Sequence, residues 1–207
     1  MKQEEIDRLE NMMKFENELY SAGHEIIAGV DEAGRGPLAG PVVAGAVILK
    51  KGDMIEGLND SKKISPKKRD KLYEEIREKA VAYSVGIVDN ETIDEINILQ
   101  ATRLAMKKAI EGLNIKPDYL LIDAEKNIDT QIPLSGIIKG DSLSISIAAA
   151  SIIAKVTRDR MIEEMDEKYP EYEFAKHKGY GTALHIQKIK ENGICPIHRK
   201  TFCKKFI

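Results

Sequence analysis

Near the start of the chain, Ile6, Leu9, Met13 and Tyr20 recur at near-helical spacing among Glu, Lys and Asn, which predicts an amphipathic helix ending near Gly23. The period then changes. Residues 26–30 and 41–49 are short runs rich in Val, Ile and Ala, joined by a glycine-rich corner, the pattern of two strands in a hairpin with Pro41 at a strand start. Residues 50–64 read as a polar turn. Ser65 and Pro66 predict an N-cap and first helical position for a helix to about Lys79. A strand is expected at 81–88 and a helix at about 92–112, broken near Asn97. Beyond Pro117, the apolar run 119–122 predicts a strand that ends at Asp123. The pair Ile137 and Ile138 leads into Lys139-Gly140-Asp141, and the longest helix is expected at about 142–168, with Pro170 past its end. The remainder reads as a loop, a helix near 182–191 and a basic tail.

Strands first, then strands alternating with helices, indicate an α/β layered domain with a mixed central sheet. The length of 207 residues and 43% hydrophobic content suffice for one domain with a substantial core. No internal repeat or heptad seam is present. The expected organisation is an N-terminal helix at 1–25, a main domain at 26–168 and a basic extension at 169–207.

Charge sharpens this picture by its distribution. The net charge is only −2, yet residues 174–207 carry eight basic residues (Lys176, Lys178, Lys188, Lys190, Arg199, Lys200, Lys204 and Lys205) against one acidic residue, Glu191. That bias fits a polyanion. Two cysteines, Cys195 and Cys203, without a signal-peptide pattern predict a reducing, cytoplasmic setting and no disulfide. No apolar run approaches the ~20 residues that span a bilayer, so no membrane partner is expected.

The chemistry concentrates in acids at predicted strand ends. Asp31 and Glu32 close the first apolar strand, where a carboxylate needs a cationic partner or open water. The following Gly34-Arg35-Gly36 allows positive φ and presents bare amides beside a cation. A tight turn with solvated acids would read the same way. Adjacent strand residues also point to opposite faces, so Asp31 and Glu32 can share a site only where the strand ends or bends. Asp123 stands at the end of another strand, and ligands of open α/β sheets collect outside strand ends. Asp141 precedes the long helix, where it suits an N-cap or a metal ligand, two compatible roles. Along that helix Ser144, Ala148, Ser151, Lys155 and Asp159 continue a small or polar stripe, and Ala148–Ala150 permit close approach to the sheet.

Four carboxylates without a matching Cys/His set suit Mg²⁺ or Mn²⁺, and two such ions serve phosphodiester hydrolysis. Cys195, His198 and Cys203 fall short of the four ligands zinc expects. Lys62 and Lys63, in Asn59-Asp60-Ser61-Lys62-Lys63, and Tyr180, between Gly179 and Gly181, are residue types that contact nucleic-acid backbones and sugars. A solvated lysine face and a buried tyrosine are the competing readings. His177 in its lysine-rich loop is expected to meet phosphate or water. A non-catalytic nucleic-acid-binding module is the main alternative to a nuclease; a nucleotide phosphotransferase would need a Gly-x4-Gly-Lys-Ser/Thr loop, which is absent.

Asp31-Glu32-Ala33-Gly34-Arg35-Gly36-Pro37-Leu38-Ala39-Gly40-Pro41, Asn59-Asp60-Ser61-Lys62-Lys63, Ile122-Asp123-Ala124, Lys139-Gly140-Asp141-Ser142, Ala154-Lys155-Val156-Thr157-Arg158-Asp159-Arg160 and Lys178-Gly179-Tyr180-Gly181 together resemble the ribonuclease HII family. The resemblance runs in order from about Ile26 to Phe202. It implies an RNase H-like fold with a C-terminal helical extension, and a metal-binding catalytic quartet at Asp31, Glu32, Asp123 and Asp141. It further implies Mg²⁺ or Mn²⁺ as cofactor, and RNA–DNA hybrids or duplex DNA containing ribonucleotides as partners of a monomeric enzyme. Gly34, Arg35, Gly36 and Tyr180 match the elements that recognise the ribonucleotide 2′-hydroxyl and its junction with DNA; Lys62 matches a phosphate contact. Cleavage 5′ of the ribonucleotide, leaving 3′-hydroxyl and 5′-phosphate ends, is the implied reaction. The related ribonuclease HIII carries an additional N-terminal substrate-binding domain, for which the ~25 residues before the first strand are too few.

Overall fold

In the computed structural model, which describes residues 1–207, five strands share one sheet: β1 (Ile27–Ala33), β2 (Val42–Ile48), β3 (Ala82–Val88), β4 (Tyr119–Asp123) and β5 (Leu134–Ile137). Their spatial order is β3-β2-β1-β4-β5. The first three strands form the antiparallel meander that short connections permit, whereas β4 pairs parallel to β1 and β5 parallel to β4. The mixed α/β layering read from the sequence is the one observed.

One helix dominates each face of the sheet. On one side lies α4 (Asn90–Glu111), whose Ala101, Ala105, Met106 and Ala109 are buried with Ala28, Val30 and Ala44. Its break is at Asn97, with φ 65° and ψ 163°. On the other lies α6 (Ile145–Lys168), hydrophobic almost all round its first three turns because the sheet, other helices and the C-terminal segment enclose it. Its backbone comes so near the sheet that a Cβ on Gly29 would fall 2.0 Å from the Ser146 carbonyl carbon, and one on Gly45 would fall 2.5 Å from the Ala150 oxygen. The alanines at 148–150 supply the other half of that contact.

Four details depart from the sequence reading. The N-terminal helix is two, α1 (Gln3–Met12) and α2 (Lys14–Ser21), separated at Met13. The supposed polar turn at 50–64 contributes Ile55, Leu58 and Ile64 to the core, against Leu9 and Met12 of α1 and Leu72 of α3 (Pro66–Lys79). Apart from a 3₁₀ turn (Ser61–Lys63) it has no helix or strand, and its buried side chains fall at irregular intervals, so no period marks them. Strand β5 went unread because only its last residue, Ile137, is fully buried. The long helix does not begin at 142: a single turn, α5 (Gly140–Leu143), ends at an extended Ser144 (φ −123°, ψ 130°), which caps α6 by accepting from the Ile147 amide at 3.2 Å.

The segment after α6 is also more ordered than a loop and tail. A 3₁₀ turn (Pro170–Tyr172), α7 (Phe174–His177), α8 (Ala183–Asn192) and α9 (Lys200–Cys203) wrap around Leu38 and Ala39 of the β1–β2 connection. Backbone bonds run from Leu38 to Gly179 (2.8 Å), from Gly40 to Ile197 (2.9 Å) and from Arg199 to Leu38 (2.8 Å). The glycine-rich corner is thereby enclosed by residues far along the chain.

Candidate active site

The register of the sheet decides which acids meet. Val30 is the last residue of β1 paired with β4, opposite Ile122, so Asp31 and Asp123 follow side by side at the parallel edge. Both fall on the α6 face, by alternation from Gly29 and Leu121. Strand β1 does not end there. It continues to Ala33 against β2, with Asp31 opposite Gly45 and Glu32 opposite Ala44. The expected strand end is therefore one-sided: β4 has departed while β2 still holds the chain. Glu32 alternates to the other face at this opened edge, where it approaches Arg35, with Oε1 3.4 Å from Arg35 Nη1.

Asp141 joins from α5. Lys139 adopts a left-handed conformation (φ 58°), turning the chain so that the Gly140 amide donates to Asp123 Oδ1 at 2.7 Å. Asp141 is then the next residue, 8% exposed. It is not the N-cap of the long helix; Ser144 has that role, and the stripe read through Asp141 is interrupted there. Behind the break, buried Glu16 of α2 accepts from Ser144 Oγ at 2.6 Å and the Ser146 amide at 3.0 Å.

Burial and mutual repulsion raise the pKa values of this cluster. Burial is the largest cause for Asp31, followed by Glu32 and Asp123, and together they lift its carboxyl well above the ordinary value. Glu32 is raised by burial, with Asp123 adding and Arg35 opposing. Asp141 is raised by burial and then by Asp60, an acid that the sequence reading had not singled out. Lys62 sits among them. Burial alone would lower its ammonium, but Asp31, Asp141, Asp60 and Glu32 outweigh burial and raise it. Lys62 and Lys63 are both exposed, but Lys62 is drawn toward the acids while Lys63 donates to Ser142 Oγ at 2.9 Å.

The donor set is carboxylate oxygen throughout, hard and electron-rich, and its internal repulsion is the kind that a divalent cation relieves. No three Asp, Glu, His or Cys side chains stand at metal-ligand spacing, so the acids are neighbours and not a closed cage. Asp31 Oδ1 accepts from the Glu32 amide (2.7 Å) and Asp123 Oδ1 from Gly140, which leaves the second oxygen of each carboxylate outside those bonds. The Cys/His group gathers no metal set either: Cys195 Sγ lies 3.1 Å from His198 Nδ1, while Cys203 turns to the Leu38 carbonyl.

Gly34, Arg35 and Gly36 follow directly from β1. Gly34 takes φ 97°, and none of the three amides donates to an acceptor within the protein. A Cβ on Gly36 would lie 3.9 Å from Tyr180 Cε1, so the two recognition candidates are in contact range. Tyr180 is 39% exposed, with Lys155 Nζ 5.5 Å and Arg158 Cζ 5.7 Å from its ring centroid, which settles against the buried-core alternative.

His177 is buried with both ring nitrogens bonded inside the protein: Nε2 to the Tyr172 carbonyl at 2.9 Å, and Nδ1 accepting from the Gly179 amide at 3.2 Å, while its ring stacks on His185 at 4.1 Å. His198 Nδ1 accepts from the Cys195 amide (2.9 Å), so its Nε2 carries the proton and donates to His185 Nε2 (3.0 Å). His185 Nδ1 then donates to the Tyr180 carbonyl (2.9 Å). Burial first, and other histidines after it, hold both His185 and His198 down at about 4. The basic tail is correspondingly less free than its composition implied. Lys178 pairs with Glu163, Lys188 lies 3.2 Å from Glu173, and Arg199 is wholly buried.

A mixed sheet of this order, a long helix packed on its central strands and acids where β1 and β4 part define an RNase H-like α/β nuclease. The ribonuclease HII family model matches residues 28–205. The chain is 58% identical over 205 residues to ribonuclease HII of Acetivibrio thermocellus, covering 99% of this chain and 80% of that one. It is also 58% identical over 203 residues to ribonuclease HII of Clostridioides difficile, covering 98% and 80%. Among solved structures, the ribonuclease H2 of Pyrococcus horikoshii superposes with a TM-score of 0.73 at 31% identity, over 87% of this chain and 96% of that one. The Archaeoglobus fulgidus RNase HII, solved in a complex with PCNA, gives 0.73 and 31%, over 84% and 94%. This chain belongs to the ribonuclease HII family and is a ribonuclease H endonuclease.

Proposed function

We propose that this enzyme cleaves the RNA strand of RNA–DNA hybrids and nicks duplex DNA 5′ of an embedded ribonucleotide, leaving 3′-hydroxyl and 5′-phosphate ends. The observation that carries the reading is the convergence of Asp31, Asp123 and Asp141 at one sheet end, beside the unpartnered amides of Gly34, Arg35 and Gly36. Asp31, Glu32, Asp123 and Asp141 would hold Mg²⁺ or Mn²⁺. Two such ions, when bound, supply an activated water and neutralise charge on the leaving oxygen.

The chain's own groups supply position and selectivity. The Gly34–Gly36 backbone can meet a ribose hydroxyl as donor, since its N–H groups are unspent. The exposed Tyr180 ring offers a flat face to the neighbouring sugar, and its position beside Gly36 would couple the two halves of a ribose–deoxyribose junction. Lys62 would bridge the acids and a phosphate, a role supported by its attraction to Asp31 and Asp141. The main domain at 26–168 carries the acids, and the extension at 169–207 completes the cleft through Tyr180. We assign the enzyme to the cytoplasm as a monomer, in keeping with its two free thiols; no helix is long and apolar enough to cross a membrane.

The test uses a DNA duplex bearing one ribonucleotide, with and without Mg²⁺. Asp31→Asn should lower metal-dependent nicking by at least about 10²-fold, the scale of losing a group that acts on transition-state charge. An undiminished rate would remove the assignment. Salt-sensitive binding with no product from the unmodified enzyme would favour the non-catalytic module instead.

A further inference from the structure

The loop from Gly34 to Pro41 is built around two buried cations. Arg199 donates from Nε to the Gly40 carbonyl (3.0 Å), from Nη1 to Arg35 (2.9 Å) and from Nη2 to Gly34 (2.6 Å) and Pro41 (3.2 Å). Arg158, on α6, donates from Nε to Pro41 (3.1 Å), from Nη1 to Lys178 (3.0 Å) and from Nη2 to Ala39 (3.1 Å). Both side chains are 0% exposed. The only carboxylate within ion-pair distance of either is Asp159, 3.8 Å from Arg158 Nη1. Two guanidiniums are therefore satisfied almost wholly by main-chain oxygen.

This arrangement has a directional consequence. Each peptide unit carries its N–H and C=O on opposite sides, so a backbone whose carbonyls turn inward onto a cation turns amides outward. Inward carbonyls at Gly34 and Arg35 are what leave the following amides of Arg35 and Gly36 free of internal partners. The positive φ of Gly34 and Gly40 makes the required turns possible. Arg158 also holds the Lys178 carbonyl, two residues before Tyr180, and the Gly179 carbonyl accepts from Leu38. The glycine loop and the tyrosine loop are thus fastened to one pair of side chains. A planar guanidinium is suited to this because its donors have fixed directions, which an ammonium lacks.

We propose that Arg158 and Arg199 are positioning residues that aim the Gly34–Gly36 amides and Tyr180 at the ribonucleotide, and that Arg199, despite lying in the basic tail, contacts no phosphate. The proposal deepens the ribonucleotide-cleaving reading and rests on it. Neither arginine touches the carboxylate cluster, so metal binding does not depend on them.

Arg158→Lys and Arg199→Lys keep the charge and remove the fork. Each should lower kcat on a duplex with one ribonucleotide at least about tenfold, with the duplex Kd and its salt dependence unchanged. Removing a phosphate contact instead would weaken binding on all duplexes and reduce the salt slope by about one. That outcome, or an unchanged kcat, would overturn the proposal; a lowered Tm with normal kcat in the folded protein would do the same. A second measurement needs no variant. Hydrogen exchange at Gly34–Gly36 should slow when the unmodified enzyme binds the ribonucleotide duplex in Ca²⁺ and not when it binds an all-DNA duplex, and equal protection would overturn it. If the unmodified enzyme fails to nick the ribonucleotide duplex in Mg²⁺, the functional reading itself falls, a result distinct from any of these.

Discussion

The two ends of the β1–β2 connection both bury like charges, and they resolve the conflict in opposite ways. Before it, Asp31, Glu32, Asp123 and Asp141 raise one another's pKa values with little internal compensation beyond Lys62 and Arg35. Around it, Arg158 and Arg199 are buried completely but make seven hydrogen bonds to backbone carbonyls. Repulsion that the protein satisfies internally builds structure; repulsion that it leaves unsatisfied stores free energy that a bound cation can release.

That contrast breaks most visibly when an arginine is removed. Arg199→Met leaves four carbonyl contacts without a donor, and should lower stability by about 3–5 kcal/mol, near 10 °C in Tm for a chain of this size. Thermal melting checks it, and a shift under 2 °C would show that the loop does not need the clamp. The carboxylate end should respond in the opposite direction. Asp31→Asn removes a buried repelling charge, so Tm should rise by about 2–4 °C while activity is lost, and Mg²⁺ should stabilise the parent protein more than the variant.

Acid separates the regions further. His185 and His198 protonate near 6.5 when unfolded and about 4 when folded, so between those values the unfolded state binds more protons and stability falls as pH falls. The raised carboxyls work the other way, since the folded state takes their protons first. Melting from pH 7 to pH 4 should therefore show acid destabilisation that His198→Gln diminishes and Asp31→Asn accentuates. The smallest effect concerns the contact across the cleft. Tyr180→Ala should cost about 1–3 kcal/mol of stacking at the ribose–deoxyribose junction, read as roughly tenfold or greater loss of preference for that junction, with general duplex binding nearly retained.

The acids could be read early because their chemistry is local: Asp31, Glu32 and Asp123 end apolar runs, and Gly34 and Gly36 announce a tight backbone. Asp60 was quoted only within Asn59-Asp60-Ser61-Lys62-Lys63, since nothing in that segment shows that it faces Asp141. Arg199 was counted with a basic tail suited to a polyanion, because composition cannot distinguish a cation free to meet a phosphate from one held by carbonyls of residues 34–41. The three buried histidines left no pattern for the same reason: their partners lie on separate short elements.

What the sequence determined by itself was the layering, the two long helices, the glycine corner and the identity of the acids, all of which follow from periodicity and turn chemistry over neighbouring residues. Tertiary structure alone decided the parallel register that sets Asp31 beside Asp123, the break at Ser144 that frees Asp141 from capping, and the enclosure of Arg158 and Arg199. Each of these depends on hydrogen bonds or packing between residues far apart in the chain, and local periodicity carries no record of which distant carbonyl will face which donor.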